Sequence, residues 1–197
     1  QALSSQINPH FLYNTLDTII WMAEFQDSQR VVQVTKSLAT YFRLALNQGK
    51  DLISLSDEIN HVRQYLFIQK QRYGDKLEYE INENPAFDKL VLPKLVLQPL
   101  VENALYHGIK EKEGQGHIRV SVQKQDSGLV IRIEDDGVGF QDAGDSSQSQ
   151  LKRGGVGLQN VDQRLKLHFG EHYQMKIDSA LKKGTTVKIY INRIETS

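Results

Sequence analysis

The sequence predicts an α + (α+β) protein: an N-terminal helical hairpin, extended by a third helix, followed by an α/β sandwich on an antiparallel-rich sheet. Three observations predict it. Up to residue 73 the apolar residues recur at helical spacing. Beyond Gly74 they alternate with period two, in segments separated by turn residues. Two more helical stretches interrupt those strands, each closed by a glycine. The chain has 197 residues, enough for two small domains, which we place at 1–74 and 75–197.

Leu12, Leu16, Ile19 and Ala23 give the first helix its apolar stripe, and Gln26-Asp27-Ser28 is a short turn. Val31, Val34, Leu38, Tyr41 and Ala45 mark the second helix, which ends near Asn47-Gln48-Gly49. Each of these helices has one face to bury, so a second copy completing a dimeric four-helix bundle is expected. The third helix starts after Ser56, its expected N-cap, and carries Ile59, Val62, Leu66 and Tyr73.

Residues 77–81 alternate as a strand, 82–89 form a loop, and 93–107 read as a helix closed by Gly108. "HIRVSVQKQ" and "LVIRIEDD" form a hairpin around Gln125-Asp126-Ser127-Gly128. Residues 141–153 have no apolar pattern and read as a long loop. A helix over 158–169, stopped by Gly170, precedes strands at 173–178 and 185–192.

Composition narrows the function. Lys+Arg and Asp+Glu are equal at 24 each, so no global field recruits nucleic acid or acidic lipid. The absence of cysteine excludes disulfides, thiolate catalysis and cysteine metal sites, and fits a reducing compartment. No apolar run approaches the ~20 residues of a membrane span. The first residue is Gln, within a helical pattern, so the chain reads as a cytoplasmic piece of a longer protein. Membrane attachment is expected only through a missing upstream segment.

Three motifs carry chemistry. In "RIEDDGVGF", Asp135 shares parity with Leu129, Ile131 and Ile133, so its carboxylate faces the core. A core-facing carboxylate needs donors, and the exocyclic amine of adenine is one such donor. In "GGVGLQN", glycines precede a helix N-terminus, with Lys152 and Arg153 just upstream, as an anion site requires. In "LQPLVENALYHGI", Pro99, Asn103 and His107 lie along one face, and Glu102 and Asn103 offer oxygens to a hard cation. Each motif alone is equally a turn, a cap or an amphipathic core helix.

Their order, completed by "KKGTTV", resembles the Bergerat ATP-binding fold shared by DNA gyrase, the heat-shock chaperone ATPases, MutL and sensor histidine kinases. The resemblance implies that Asn103 holds Mg²⁺ against the triphosphate of ATP and that Asp135 reads the adenine amine. It implies that Gly137 and Gly139 shape the base pocket, with His107 near the nucleotide. It further implies that 141–153 form a lid, that Gly155 and Gly157 bring backbone to the phosphates, that Leu158 belongs to the cofactor-binding set, and that Thr186 lines the pocket. Hydrolysing members carry a glutamate one turn before the metal-binding Asn; here that position is Pro99, which cannot activate water. Glu102, about 100° around the helix, is poorly placed to substitute.

The stretch "QINPHFLYNTL", with "EINHVRQYLFIQKQRYGDKL" and "LPKLVLQPLVENALYHGI" after it, resembles the histidine kinase family that includes the LytS and YesM types. The resemblance implies that His10 accepts the γ-phosphoryl of ATP and passes it to an aspartate on a response regulator receiver domain. A neutral imidazole is a competent nucleophile near neutral pH. Many such kinases place a carboxylate directly after the histidine; Phe11 stands there, and Asn14, one turn on, is the candidate to orient the ring or position water. Pro9 admits two readings. Either the helix runs through it with a bend, having lost the bond to Ser5, or Asn8 caps a helix that starts at Pro9. The resemblance favours the bend. The alternative functions are a non-catalytic ATP-binding scaffold and an ATPase clamp. The other histidines read as surface groups without metal-ligand spacing.

Overall fold

Helix α1 (Pro9–Glu24) opens the chain in the computed structural model, which describes residues 8–140 and 155–192. Asn8 is the N-cap: its backbone is extended, and its side chain accepts the Phe11 N–H at 3.3 Å. Pro9 therefore occupies the first helical position, where its missing N–H costs nothing. The bent continuous helix expected from the resemblance is not formed, because Asn8 is non-helical. The stripe of α1 is also displaced from expectation. Phe11, Thr15 and Met22 are buried; Leu12 and Ile19 are half-buried; Leu16 and Ala23 are exposed. Aromatic packing decides this, since Phe11 sits 4.8 Å from the Tyr41 ring and 5.1 Å from the Tyr65 ring.

After the turn at Gln26-Asp27, helix α2 (Ser28–Leu46) is capped by Asp27 and buries Val34, Leu38, Tyr41 and Ala45, as its periodicity predicts. Asn47 ends it in the left-handed conformation. The chain then leaves helical structure for a three-residue strand, β1 (Leu52–Ser54), which periodicity over so short a segment could not reveal. Helix α3 (Leu55–Tyr73) begins two residues earlier than expected: Ser54, not Ser56, accepts the Asp57 N–H.

Strands β2 (Leu77–Asn82), β4 (Gly116–Gln125), β5 (Gly128–Asp135), β6 (Tyr173–Ala180) and β7 (Gly184–Ile191) form one sheet in the order β2-β4-β5-β7-β6. Only β2–β4 is parallel. A short strand β3 (Val91–Pro93) pairs antiparallel with β1. The helix expected over 93–107 is consequently shorter. It starts at Gln98 as α4 (Gln98–Asn103) and continues as a wider π-helical turn over Ala104–Ile109. Helix α5 (Gly155–Phe169) completes the helical layer against the sheet.

A buried carboxylate sets where α4 begins. Glu58 of α3 is fully buried and accepts the backbone N–H groups of Leu95 (2.9 Å), Val96 (2.7 Å) and Leu97 (2.8 Å). Leu97 is the N-cap residue of α4 and the other two donors lie just before it, so the carboxylate fixes the entry to the helix. Burial pushes the Glu58 carboxyl up, while the three N–H groups and Arg164 pull it down. One hydrophobic cluster runs from Phe11 to Ile191. It crosses the boundary near residue 74, as does the β1–β3 pairing, so α3 is packed into both parts.

Candidate functional site

A cavity of 280 Å³ lies between one face of the sheet and the helices α4 and α5. Its floor is Asp135, at the end of β5, with Ile133, Ile177 and Val187 beside it. Asp135 faces the core as its parity requires, and burial raises its carboxyl to about 6. Its Oδ1 accepts the Gly137 N–H at 2.9 Å, and the Thr185 N–H also bonds to the carboxylate. Asp136 points the other way, taking the His117 N–H at 2.7 Å and Lys112 Nζ at 2.9 Å.

Two glycines make this floor. A Cβ on Gly108 would stand 2.6 Å from Asp135 Oδ1, and one on Gly137 would stand 2.3 Å from the Gly108 Cα. The π-helical turn and the Asp-Gly turn therefore press together where no side chain fits. Gly139 combines a φ of 58° with a backbone contact at Ala180 O that a side chain would block.

On α4 and its π turn, Asn103 and His107 line the cavity, with Leu100, Ala104 and Gly108. Gly155 and Leu158 line it from α5. The expected set is thus gathered in part. Gly157 and Pro99 lie elsewhere, on a second cavity. Thr186 pairs with Glu134 on β5, while Thr185 lines the cavity. Parity could have found this, since Thr185 shares its face with buried Val187, Ile189 and Ile191. Phe140 also lines the cavity without any motif to announce it; its N–H donates to Ser179 Oγ at 3.0 Å. Lys152, Arg153 and the expected lid over 141–153 lie outside the described residues.

His10 is exposed on the first turn of α1. Asn14 Nδ2 lies 3.0 Å from its Nδ1 and 3.2 Å from its Nε2, so the amide faces the ring edge between the two nitrogens. No group of three or more potential metal-ligating His, Asp or Glu residues occurs among the described residues.

Residues 1–77 match the histidine kinase family model, and residues 89–194 match the model of the histidine kinase-, DNA gyrase B- and HSP90-like ATPases. The chain belongs to the histidine kinase family. It is 35% identical to the sensor histidine kinase YesM of Bacillus subtilis, over 97% of this chain and 33% of that protein. It is 36% identical to the sensor protein LytS of Streptococcus mutans, over 95% of this chain and 33% of that one. It spans about a third of the length of these relatives. The histidine kinase domain of the blue-light-activated kinase EL346 from Erythrobacter litoralis shares the fold, with a TM-score of 0.54. The identity is 16%, covering 90% of this chain and 93% of that one. The second part of this chain is a domain of the ATPase family that the histidine kinases share with DNA gyrase B and HSP90. No helix among its described residues is long and apolar enough to cross a membrane.

Proposed function

We propose that this kinase core phosphorylates its own His10 from Mg²⁺-ATP and passes the phosphoryl group to an aspartate on a response regulator receiver domain. The observation that carries the reading is the pairing of an acid-floored cavity with an exposed imidazole in a chain that has proline where hydrolases keep their base. The residues fit a purine nucleotide. Asp135 is a half-buried acceptor whose desolvation an exocyclic amine would relieve, and the apolar walls suit a base.

Asn103 is the residue that would hold the metal, alongside the phosphates. Mg²⁺, when bound, neutralises charge on the triphosphate. His10 forms a P–N bond with a ring-nitrogen lone pair as the Pγ–O bond to ADP breaks, and the proton on its other ring nitrogen passes to water. Asn14 orients the ring, in place of the carboxylate that Phe11 displaces. Lys152 and Arg153 would meet phosphate from the segment before α5. With water lacking a base, proximity and charge neutralisation direct the phosphoryl group to the imidazole.

Incubation with γ-labelled ATP and Mg²⁺ tests the reading. Acid-labile, alkali-stable label that disappears in His10→Gln supports it. Nucleotide binding without label points instead to a scaffold, and steady phosphate release without phosphoprotein points to an ATPase clamp.

The homodimer belongs to the same proposal. Tyr13, Leu16, Ile20, Trp21 and Phe25 leave one side of α1 apolar and exposed, as half of a four-helix bundle does. Attachment to a membrane is assigned to sequence upstream of this core.

A further inference from the structure

A second, larger cavity of 760 Å³ backs onto the nucleotide site. The two cavities share the same two helices. Leu100 and Asn103 of α4, with Ala104 of the π turn, face the first cavity, while Gln98, Pro99 and Glu102 face the second. Gly155 and Leu158 of α5 face the first, while Gly157, Asn160 and Arg164 face the second. The two helices meet at one place on the seam, where a Cβ on Gly157 would lie in ordinary contact with the Pro99 Cβ at 3.8 Å. The far wall comes from the helical part, where Asn8 and Pro9 border the cavity immediately before His10. The chamber thus lies between α4, α5 and the residues that start α1.

Its lining is unusual in charge. Lys94 is only 4% exposed and lines the chamber, yet its ammonium group has no hydrogen bond or ion pair among the described residues. Its Nζ is not one of the buried polar atoms left without a partner, so the stem is covered while the ammonium group meets the chamber, where an anion can approach it. The adjacent carboxylate of Glu58 is already occupied by three backbone N–H groups. Arg164 lines the same space and forms no salt bridge among the described residues. Gln98 is 5% exposed; its Nε2 donates to Glu102 Oε1 at 3.1 Å, and its buried Oε1 has no partner. Asp51 and Glu102 are the carboxylates on the wall; Glu102 is held above the usual carboxylate range by burial.

We propose that this chamber is an anion site for the phosphoryl group in transfer, reached past the Pro99–Gly157 seam, with Lys94 and Arg164 as its cationic lining. The inference rests on the kinase reading and adds residues to it. The group in transfer carries its charge on peripheral oxygens, which cations fixed on the chamber wall would neutralise. Glycine at 157 and proline at 99 keep the seam free of long side chains and of any base that would recruit water.

Two measurements on the whole chain test this. With inorganic phosphate as the probe and no nucleotide present, calorimetry is expected to show binding that weakens roughly tenfold in Lys94→Met and in Arg164→Met. Asp135→Asn, which alters only the nucleotide cavity, is expected to keep phosphate binding unchanged. With ATP, Lys94→Met is expected to keep nucleotide affinity while label formation on His10 slows roughly 100-fold, and Lys94→Arg is expected to restore much of it. Unchanged melting temperatures establish that the variants fold, and Arg164→Met carries the test if Lys94→Met does not. Phosphate binding that is absent in the wild type, equal in Lys94→Met, or lost in Asp135→Asn overturns the chamber. A wild-type chain that binds phosphate at Lys94 but never labels His10 keeps the anion site and overturns the kinase reading instead.

Discussion

Asp135 is the residue on which the proposed nucleotide site turns. Its carboxyl is held near 6 because burial outweighs the N–H groups of Gly137 and Thr185 that favour the anion. An amine donor needs the ionised carboxylate, so nucleotide affinity is expected to fall as pH drops through about 6. The sign also holds for folding. A raised carboxyl binds more protons folded than unfolded, so its contribution to stability is full below its ordinary range and is lost as pH rises through about 6. Asp135→Asn is expected to lower affinity by roughly tenfold or more and to flatten the pH dependence, because one acceptor is exchanged for a mixed donor and acceptor. Titration of a fluorescent ATP analogue on both sides of pH 6 measures this. An unaltered affinity would remove Asp135 as the base-reading group.

At the scale of elements, legibility followed length and parity. The long helix α2 and the four antiparallel-paired strands were readable because each runs over eight or more residues of recurring apolar positions, even where burial reaches both faces, as in β5. Asp135 was readable for the same reason, one step further along β5. The short elements were not. β1 and β3, three residues each, exist through pairing between residues 37 to 41 positions apart, which no local pattern encodes. The start of α4 is likewise set from a distance, by Glu58, and so the proline at 93 misled where Pro99 at the N-terminal turn did not. The stripe of α1 was misread by one position because Leu12, Leu16 and Ile19 outweigh Phe11 and Thr15 in any hydropathy pattern, while Tyr41 and Tyr65 select Phe11 by shape. Glu58 offers a test of this scale. Glu58→Ala leaves three buried N–H groups without an acceptor and is expected to destabilise the fold by about 3 kcal/mol or more. Chemical denaturation measures the loss. Near-wild-type stability would mean that α4 is anchored by its apolar contacts alone.

For the whole molecule the decisive quantity is the apolar surface that α1 leaves uncovered. Ile20 and Trp21 are 57% exposed and Phe25 is 68% exposed, on a helix whose other side is packed against α2 and α3. A monomer rarely presents so many large apolar groups on one element, and each buried aliphatic or aromatic side chain contributes about 1.5–3 kcal/mol to association. A second copy meeting the same surface through a two-fold axis covers both stripes at once, which an unrelated partner need not do. Charge on that surface would then be brought against its own copy and stranded away from water. Ile20→Glu is therefore expected to convert dimers to monomers in sedimentation equilibrium. Because the nucleotide cavity draws none of its lining from α1, the affinity for an ATP analogue is expected to stay unchanged in the same variant. A dimer that survives Ile20→Glu would move the interface off α1. A monomer that also loses nucleotide would show instead that α1 holds the ATP site through the Phe11–Tyr41–Tyr65 cluster, making dimerisation and nucleotide binding one folding event rather than two.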